Sequence, residues 1–461
     1  MDNKIDYRSL ASYSLNLAEQ NSANVKCAEV YFEKSKYLTL EVEENSIKNS
    51  EMGSDEGISI RVIDNRGSLG FAFTNTVKKA SIEKMVNTAV KMMKAGTKDL
   101  DFRDLPSSYQ NYPNVKGLFD KNLKELQIED STAYIEDIIR VCMDDDQAIS
   151  QSAIFKSAYS KTMILNSNGL EVQDKDTNCM VYSQIIVEDK FSKDKSSGSE
   201  WESQRNLKDI NVLKIAEKAL EKAKSNLNRK KIKNMKCPLI LTPNGAIDLI
   251  LQSISMAINA ETYQYKRGFL VGKLDTIIGS NNLTIEDNAL IDGAAGSSSF
   301  DGEGVPCQNR TIIENGKLLK SGLLHNSYTA NKEGTESTGN ASRSSYSSIP
   351  YIGSSNFILK PGNVSKEEII KDVKRGILMD YTGDSPNFAT GDFSGLILQG
   401  NLIENGEIKH PLNETMIAIN LLDLFTKIDA ISKEFEIYGS FQAPYVRIGE
   451  VQILGGSNAM S

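Results

Sequence analysis

Between residues 28 and 73, apolar side chains recur at every second position in four runs. Ala28, Val30 and Phe32 open the series, followed by Leu38, Leu40 and Val42, then Ile58, Ile60 and Val62. Leu69, Phe71 and Phe73 follow the Asn65-Arg66-Gly67 turn. A two-residue period places each set on one face of a strand, and short connections leave only antiparallel neighbours within reach. A hairpinned antiparallel sheet is therefore the first structure this chain must build. Helical periodicity flanks it. Leu10, Tyr13 and Leu17 share a face over 9–20, and Ile82, Met85, Val86, Ala89 and Met93 do so over 77–95, where Gly96 ends the run.

Residues 99–117 are polar, hold two prolines and read as a connection. A helix bearing Ile135, Ile138, Ile139 and Cys142 follows. Strands are predicted over 152–159, 161–166, 170–173 and 179–188, with Asn168-Gly169 as a turn. Residues 192–199 read as a loop, and Leu213, Ala216, Leu220 and Ala223 mark the next helix. This order predicts an α+β N-terminal domain with an antiparallel sheet over 1–230. A linker spans about 226–236 and contains the basic run Arg229-Lys-Lys-Ile-Lys233, read as solvated.

The remainder, 231–461, has a different texture. A strand over 238–241 and a helix over 243–261 precede a long stretch rich in Gly, Ser and Asn. Thr311-Ile-Ile-Glu-Asn-Gly316 and Asn401-Leu-Ile-Glu-Asn-Gly406 are each expected to form a hairpin, because Asn-Gly readily takes the positive φ angles of a tight turn. Helices are predicted over 365–376, opened by a Ser365-Lys-Glu-Glu capping pattern, and over 421–432; the last strand is predicted over 445–454. The expectation is a β-rich domain, a closed or partly closed sheet with a few helices.

Composition excludes several functions. Of 461 residues, 39% are hydrophobic and 25% charged, as in a soluble globular protein, and the net charge of −8 lacks the cationic excess of a nucleic-acid binder. No apolar run approaches the length of a membrane span, and the N-terminal residues lack the pattern of a secretory leader. A cytoplasmic location is expected. Five scattered cysteines without a C-x-x-C pair fit buried thiols in a reducing compartment.

Only two histidines occur, His325 and His410. Imidazole is the usual source of a neutral-pH base or zinc ligand, so chemistry from a histidine cluster is ruled out. Ser321 and Ser327 flank His325, but no G-x-S-x-G turn accompanies them. Both histidines read as ordinary hydrogen-bonded or surface residues, and nothing in the spacing favours a zinc centre from Cys307, His325 and His410. The Gly-rich stretch from Gly293 to Gly304 lacks the lysine of a phosphate loop and reads as tight turns. Asp292, Asp301 and Glu303 within it lack calcium-loop spacing.

An ordered set of motifs carries a family resemblance. Phe300-Asp-Gly-Glu-Gly-Val-Pro306 precedes Ile312-Ile-Glu-Asn-Gly316, His325-Asn-Ser-Tyr-Thr-Ala330 and Ser337-Thr-Gly-Asn-Ala-Ser-Arg343. Thr390-Gly-Asp-Phe-Ser-Gly395, Gly400-Asn-Leu-Ile-Glu-Asn-Gly406 and Ala443-Pro-Tyr-Val-Arg-Ile448 follow. With Glu56-Gly-Ile-Ser-Ile-Arg61 and Gly67-Ser-Leu-Gly-Phe71 near the start, the chain resembles the TldD/PmbA family of peptide-processing metalloproteases over nearly its whole length.

In the TldD branch an H-E-x-x-x-H helix supplies two zinc-binding histidines and a glutamate that activates water, and a later cysteine completes the site. The similar helix here, over 242–261, contains no histidine. The best register sets Leu251 and Met256 at the histidine positions and Gln252 at the glutamate, and no cysteine follows Cys307. Leucine cannot ligate zinc, thioether is a poor ligand for it, and an amide cannot take a proton from bound water. Ile247, Ile250, Ile254 and Ala257 form an apolar stripe along the same helix.

The resemblance is thus to the PmbA, or TldE, branch. It implies a heterodimer with a TldD-like metalloprotease subunit, zinc held by that partner and none by this chain, and an unfolded peptide substrate lying extended in a shared chamber. Asn340 and Arg343 are the candidate substrate-binding residues, Arg343 through its ability to fork onto a carboxylate; the alternative is a turn at Gly339-Asn340 and an internal acid for Arg343. Two other readings stay open. One is a self-sufficient metallopeptidase. The other is a stand-alone peptide-binding modulator, as in the family's older label of DNA gyrase modulator, with a homodimer expected where no partner exists.

Overall fold

The computed structural model describes residues 6–456. Its first half is a six-stranded antiparallel sheet with the order β3-β2-β1-β4-β5-β6. Its elements are α1 (Tyr7–Asn21), β1 (Val25–Glu43), β2 (Ser46–Asp64), β3 (Leu69–Thr74), α2 (Lys79–Ala95), α3 (Lys121–Glu125), α4 (Ile128–Met143), β4 (Ala148–Asn166), β5 (Glu171–Glu188), β6 (Lys195–Gln204) and α5 (Val212–Ser225). The 28–32 and 38–42 runs lie on one 19-residue strand, and so do the 152–159 and 161–166 runs. The physical reason lies in the helices. Ala28, Val30 and Phe32 pack beneath α1 and α2, whereas Leu38, Leu40 and Val42 pack beneath α4 and α5. Lys34 and Lys36 fall between the two helix pairs, reaching Glu56 and the carbonyls of Lys124 and Leu126. The apolar pattern lapses there, and the strand does not.

The predicted loop over 192–199 is corrected, since β6 begins at Lys195. Its small residues allow a close approach to α5: a Cβ on Gly198 would lie 2.2 Å from the Ala223 nitrogen. Leu213, expected on the buried face of α5, is exposed. The five helices pack on the same face of the sheet, and the opposite face turns toward the second half of the chain.

That second half holds β7 (Met235–Leu241), β8 (Ile285–Asn288), β9 (Asn309–Glu314), β10 (Lys317–Leu318), β11 (Ala341–Ser342), β12 (Tyr351–Ile352), β13 (Phe357–Leu359), β14 (Arg375–Thr382), β15 (Asp392–Glu404), β16 (Glu407–Pro411), β17 (Met416–Asn420), β18 (Ile428–Tyr438) and β19 (Phe441–Leu454). β7 pairs with β14, β14 with β15, β15 with β17, β17 with β19, and β19 returns to β7. The sheet therefore closes as a five-stranded barrel, which removes the free edges of those strands. Leu239, Leu241, Ile377, Met379, Ile417, Val446 and Ile448 are among its buried residues.

Both Asn-Gly hairpins form, between β9 and β10 and between β15 and β16, with positive φ at Asn315, Gly316, Asn405 and Gly406. The Ser365 capping box is present, but its helix is shorter, Lys366–Lys371. The helix predicted over 421–432 is one short segment, Leu421–Thr426, after which pairing with β19 draws Ile428 onward into β18. The helix predicted over 243–261 is divided: an α-turn at Pro243–Ala246, a π-helical stretch at Ile247–Leu251 and an α-turn at Gln252–Ala257. No helix among the described residues is long and apolar enough to cross a membrane. All five cysteines are buried and free of disulfides.

Candidate functional site

The helix-free face of the first sheet and the second half of the chain enclose a two-part cleft. The wider cavity, about 710 Å³, is walled on one side by Tyr37 and Thr39 of β1, Lys156 and Ala158 of β4, Asn178 and Met180 of β5, and Trp201 and Ser203 of β6. Strand register explains this row: Tyr37 is opposite Ala158, Ala158 opposite Asn178, and Thr39 opposite Lys156. Facing it are Asn244, Asp248 and Gln252 from the divided helix and the β18–β19 turn at Gly439. That turn is seated against the sheet, since a Cβ on Gly439 would stand 2.9 Å from the Trp201 ring. The narrower cavity, about 410 Å³, lies alongside, and both are bounded by Ala295 and Gly296.

The divided helix reaches the cleft because its start is pressed against the barrel. Thr242 caps it by accepting from the Gly245 amide and donates to Asp380 at 2.6 Å. A Cβ on Gly245 would meet the Met379 carbonyl at 2.6 Å. The predicted stripe of Ile247, Ile250, Ile254 and Ala257 is buried, which turns Asp248 and Gln252 outward.

Of the three positions that correspond to the zinc site of the TldD branch, Leu251 is fully buried in the core, Gln252 lies on the cleft, and Met256 is exposed. Gln252 donates its amide to Asp248 at 3.2 Å. An alkyl chain, an amide and a thioether do not make a zinc-binding set, and among the described residues no three His, Cys, Asp or Glu side chains converge as ligands. The residues present here do not fit the metal of the TldD branch.

Below the wider cavity lies a polar cluster. Lys222 of α5 contacts Asp380 at 3.2 Å and Glu200 at 3.3 Å, and the Tyr438 hydroxyl donates to Glu436 at 2.8 Å. Burial would lower the Lys222 pKa, but Asp380 and Glu200 outweigh it and hold the ammonium charged. Asp248 has no such partner. Burial, with Asp380 nearby, pushes its carboxyl up to about 7 against the pull of Lys222.

Asn340 and Arg343 both line the narrower cavity. The Asn340 amide donates to Asp287 at 2.8 Å, and its carbonyl accepts from Thr338 at 2.6 Å. Arg343 pairs with Glu29, donates to the Gly302 carbonyl at 2.7 Å and stacks 4.7 Å above the Tyr31 ring. Glu29 also takes a two-pronged contact from Arg61 at 2.8 and 2.9 Å, and Arg61 reaches Glu303 at 2.6 Å. The second Glu303 oxygen accepts from the Ser327 amide at 2.8 Å. Two guanidinium groups and two carboxylates thus neutralise one another in a buried cluster that joins the sheet to the Gly-rich segment. Burial works to raise Glu303, but Arg61 and the Ser327 donor outweigh it and hold the carboxyl below its ordinary range. Burial and the adjacent Glu303 push Asp301 upward.

The Gly-rich stretch is a scaffold of tight turns. Asp301 accepts from the amides of Glu303, Val305 and Ala341, and Arg205 donates to the carbonyls of Ala294, Ala295 and Ser297. Asp292 turns elsewhere, accepting from the Lys116 amide. Neither histidine lines the cleft: buried His325 is 3.2 Å from the Thr329 hydroxyl, and His410 is 3.1 Å from the Pro411 carbonyl. Sequence reasoning overlooked Asp248 and Trp201. Asp248 had one available signal, a lone acid beside an apolar helical stripe.

Three family models match in succession: PmbA/TldA metallopeptidase domain 1 over residues 28–93, the central domain over 121–227 and the C-terminal domain over 234–455. Among curated relatives, "Metalloprotease MJ0996" of Methanocaldococcus jannaschii is 29% identical over 408 residues, covering 87% of this chain and 88% of its own length. "Uncharacterized protein MJ0231" of the same organism is 31% identical over 402 residues, covering 86% and 89%. In fold, the crystal structure of TldE from Thermococcus kodakarensis matches with a TM-score of 0.86 at 24% identity, over 97% of this chain and 100% of that one. The chain belongs to the PmbA/TldD metallopeptidase family.

Proposed function

We propose that this chain is the PmbA/TldE-like, non-catalytic, substrate-binding or regulatory subunit of a TldD-type zinc metalloprotease acting on unfolded peptides. One observation carries the reading: where a zinc enzyme of this family needs two imidazoles and a glutamate, the divided helix has Leu251 buried in the core, Met256 exposed and Gln252 on the cleft. Zinc and the base then belong to a TldD-like partner. The cleft supports a binding role, with a sheet face of mixed aromatic, apolar and polar side chains on one side and an apolar-backed helix on the other. Asn340 and Arg343 belong to the wall that a peptide would meet in the narrower cavity, although their donors are engaged within the chain. Buried free thiols and the absence of a membrane-crossing helix among the described residues accord with a cytoplasmic site of action.

Co-expression with an H-E-x-x-x-H partner tests this. The expected results are a joint size-exclusion peak, chelator-sensitive cleavage of a denatured peptide by the pair only, and no stoichiometric zinc in this chain alone. Chelator-sensitive cleavage by this chain alone would make it a self-sufficient peptidase. Peptide binding with no partner engagement would make it a stand-alone modulator, most simply a homodimer.

A further inference from the structure

The wider cavity holds a carboxyl group that the chain itself leaves unanswered. Asp248 Oδ1 accepts from Gln252, but Oδ2 is shielded from bulk water and meets no hydrogen-bond donor. The nearby cation is Lys222, and it is already shared between Asp380 and Glu200. Asp248 takes part in none of the ion pairs formed among the described residues. A half-buried carboxylate beside Ile247 and Leu249 carries a desolvation cost that only a proton or an outside cation relieves. The rest of the cavity suits such a cation. The Trp201 and Tyr438 rings lie 6.0 Å apart at its wall, and Tyr37 stands across the sheet row. Aromatic faces attract ammonium and guanidinium groups and also cover the alkyl stems that carry them. Lys156, a cation that does line this space, is exposed on the sheet side and well solvated.

Resting on the peptide-binding reading above, we infer that the wider cavity selects peptides carrying a lysine or arginine side chain, whose cationic head pairs with Asp248 while its stem lies against Trp201 and Tyr438. Gln252, whose amide is exposed, yields Asp248 Oδ1 to the incoming cation. The pocket thereby gives an otherwise sequence-tolerant cleft a preference at one position.

The test uses the full chain and three end-blocked, fluorescent, unstructured heptapeptides that differ only at the central residue: lysine, its uncharged isostere norleucine, or glutamate. Fluorescence anisotropy at pH 8 should show the lysine peptide binding roughly tenfold tighter than norleucine, with glutamate weakest. In Asp248→Asn, with its fold verified by circular dichroism, the lysine preference should vanish while norleucine binding stays. A second arm needs no variant. Lysine stays charged throughout, Lys222 remains paired, and Asp248 takes up its proton on acidification, so wild-type preference should shrink between pH 8 and pH 6. Equal affinity for lysine and norleucine, or a preference that persists in Asp248→Asn, would overturn the inference and leave the peptide-binding reading standing. Failure of all three peptides to bind would overturn that reading and this inference together.

Discussion

Asp248 illustrates how a single side chain can weaken a fold at the place where it serves a cleft. Its carboxyl is pushed from 3.8 up to about 7 by burial and by Asp380, so within that window the folded chain keeps a proton that the unfolded chain has released. Stability from this group is therefore present at low pH and lost as pH rises toward 7. Asp248→Asn removes the titrating carboxyl. The variant should gain on the order of 2 kcal/mol over wild type at pH 8, after discounting the full shift for partial exposure, and little at pH 4. Urea unfolding at the two pH values checks this, and Asp287, pushed up to about 6 by burial, titrates alike in both proteins and cancels. Residue by residue, the sequence marked the site unevenly. Asn340 and Arg343 were legible as polar residues in a Gly-rich setting, and both do line the narrower cavity. The acid that each serves or answers, Asp287 and Glu29, lies 53 and 314 residues away, beyond what spacing can convey. Asp248 resembles any solvated acid on a helix until its surroundings are known.

At the scale of elements, the divided helix determines what a substitution can restore. Leu251 faces the core while Met256 is exposed, so a histidine placed at Met256 gains no second ligand and no base. Met256→His alone should bind no stoichiometric zinc and cleave no peptide, by elemental analysis and a cleavage assay; substantial zinc-dependent cleavage would mean that the register or the ligand count is wrong. The Asn-Gly hairpins show the opposite case, in which local chemistry settles the outcome. Gly316 holds a φ of 80°, and a Cβ there would lie 2.2 Å from the Gly279 carbonyl. Gly316→Ala should cost at least about 1–2 kcal/mol from the backbone conformation alone, more with the clash, read as a lowered urea midpoint. Hairpin turns were legible because their geometry is encoded in two residues. The continuity of β1 was not, because Lys34 and Lys36 take a gap between helix pairs that only tertiary packing creates. The short helix before β18 was over-extended for a similar reason: pairing with β19 outweighs helical periodicity from Ile428 onward.

For the molecule as a whole, the cleft exists only while the sheet and the barrel half are held in register. Two arginine-centred fastenings stand out among the contacts that span the junction. Arg205 on the sheet side grips three carbonyls of the Gly-rich segment, and Arg61 and Glu29 meet Glu303 and Arg343 in the buried cluster. A buried charge cluster adds little net stability compared with apolar packing, but removing one member leaves its partner uncompensated. The interaction should therefore appear as coupling across the junction. Arg61→Met alone strands Glu303 as a buried anion, while Glu29 keeps Arg343, and should cost about 3–5 kcal/mol. Glu303→Gln alone leaves Arg61 still answered by Glu29, so its cost should be smaller, and in the double variant part of the Arg61→Met penalty disappears because the stranded anion is gone. A double-mutant cycle by urea denaturation should give a coupling energy within about 0.5–3 kcal/mol, the range for side chains in contact. Additive costs would mean that the cluster does not join the two halves energetically, and that the width of the cleft is set by the other contacts across the junction, Arg205 and the Lys222–Asp380 pair among them.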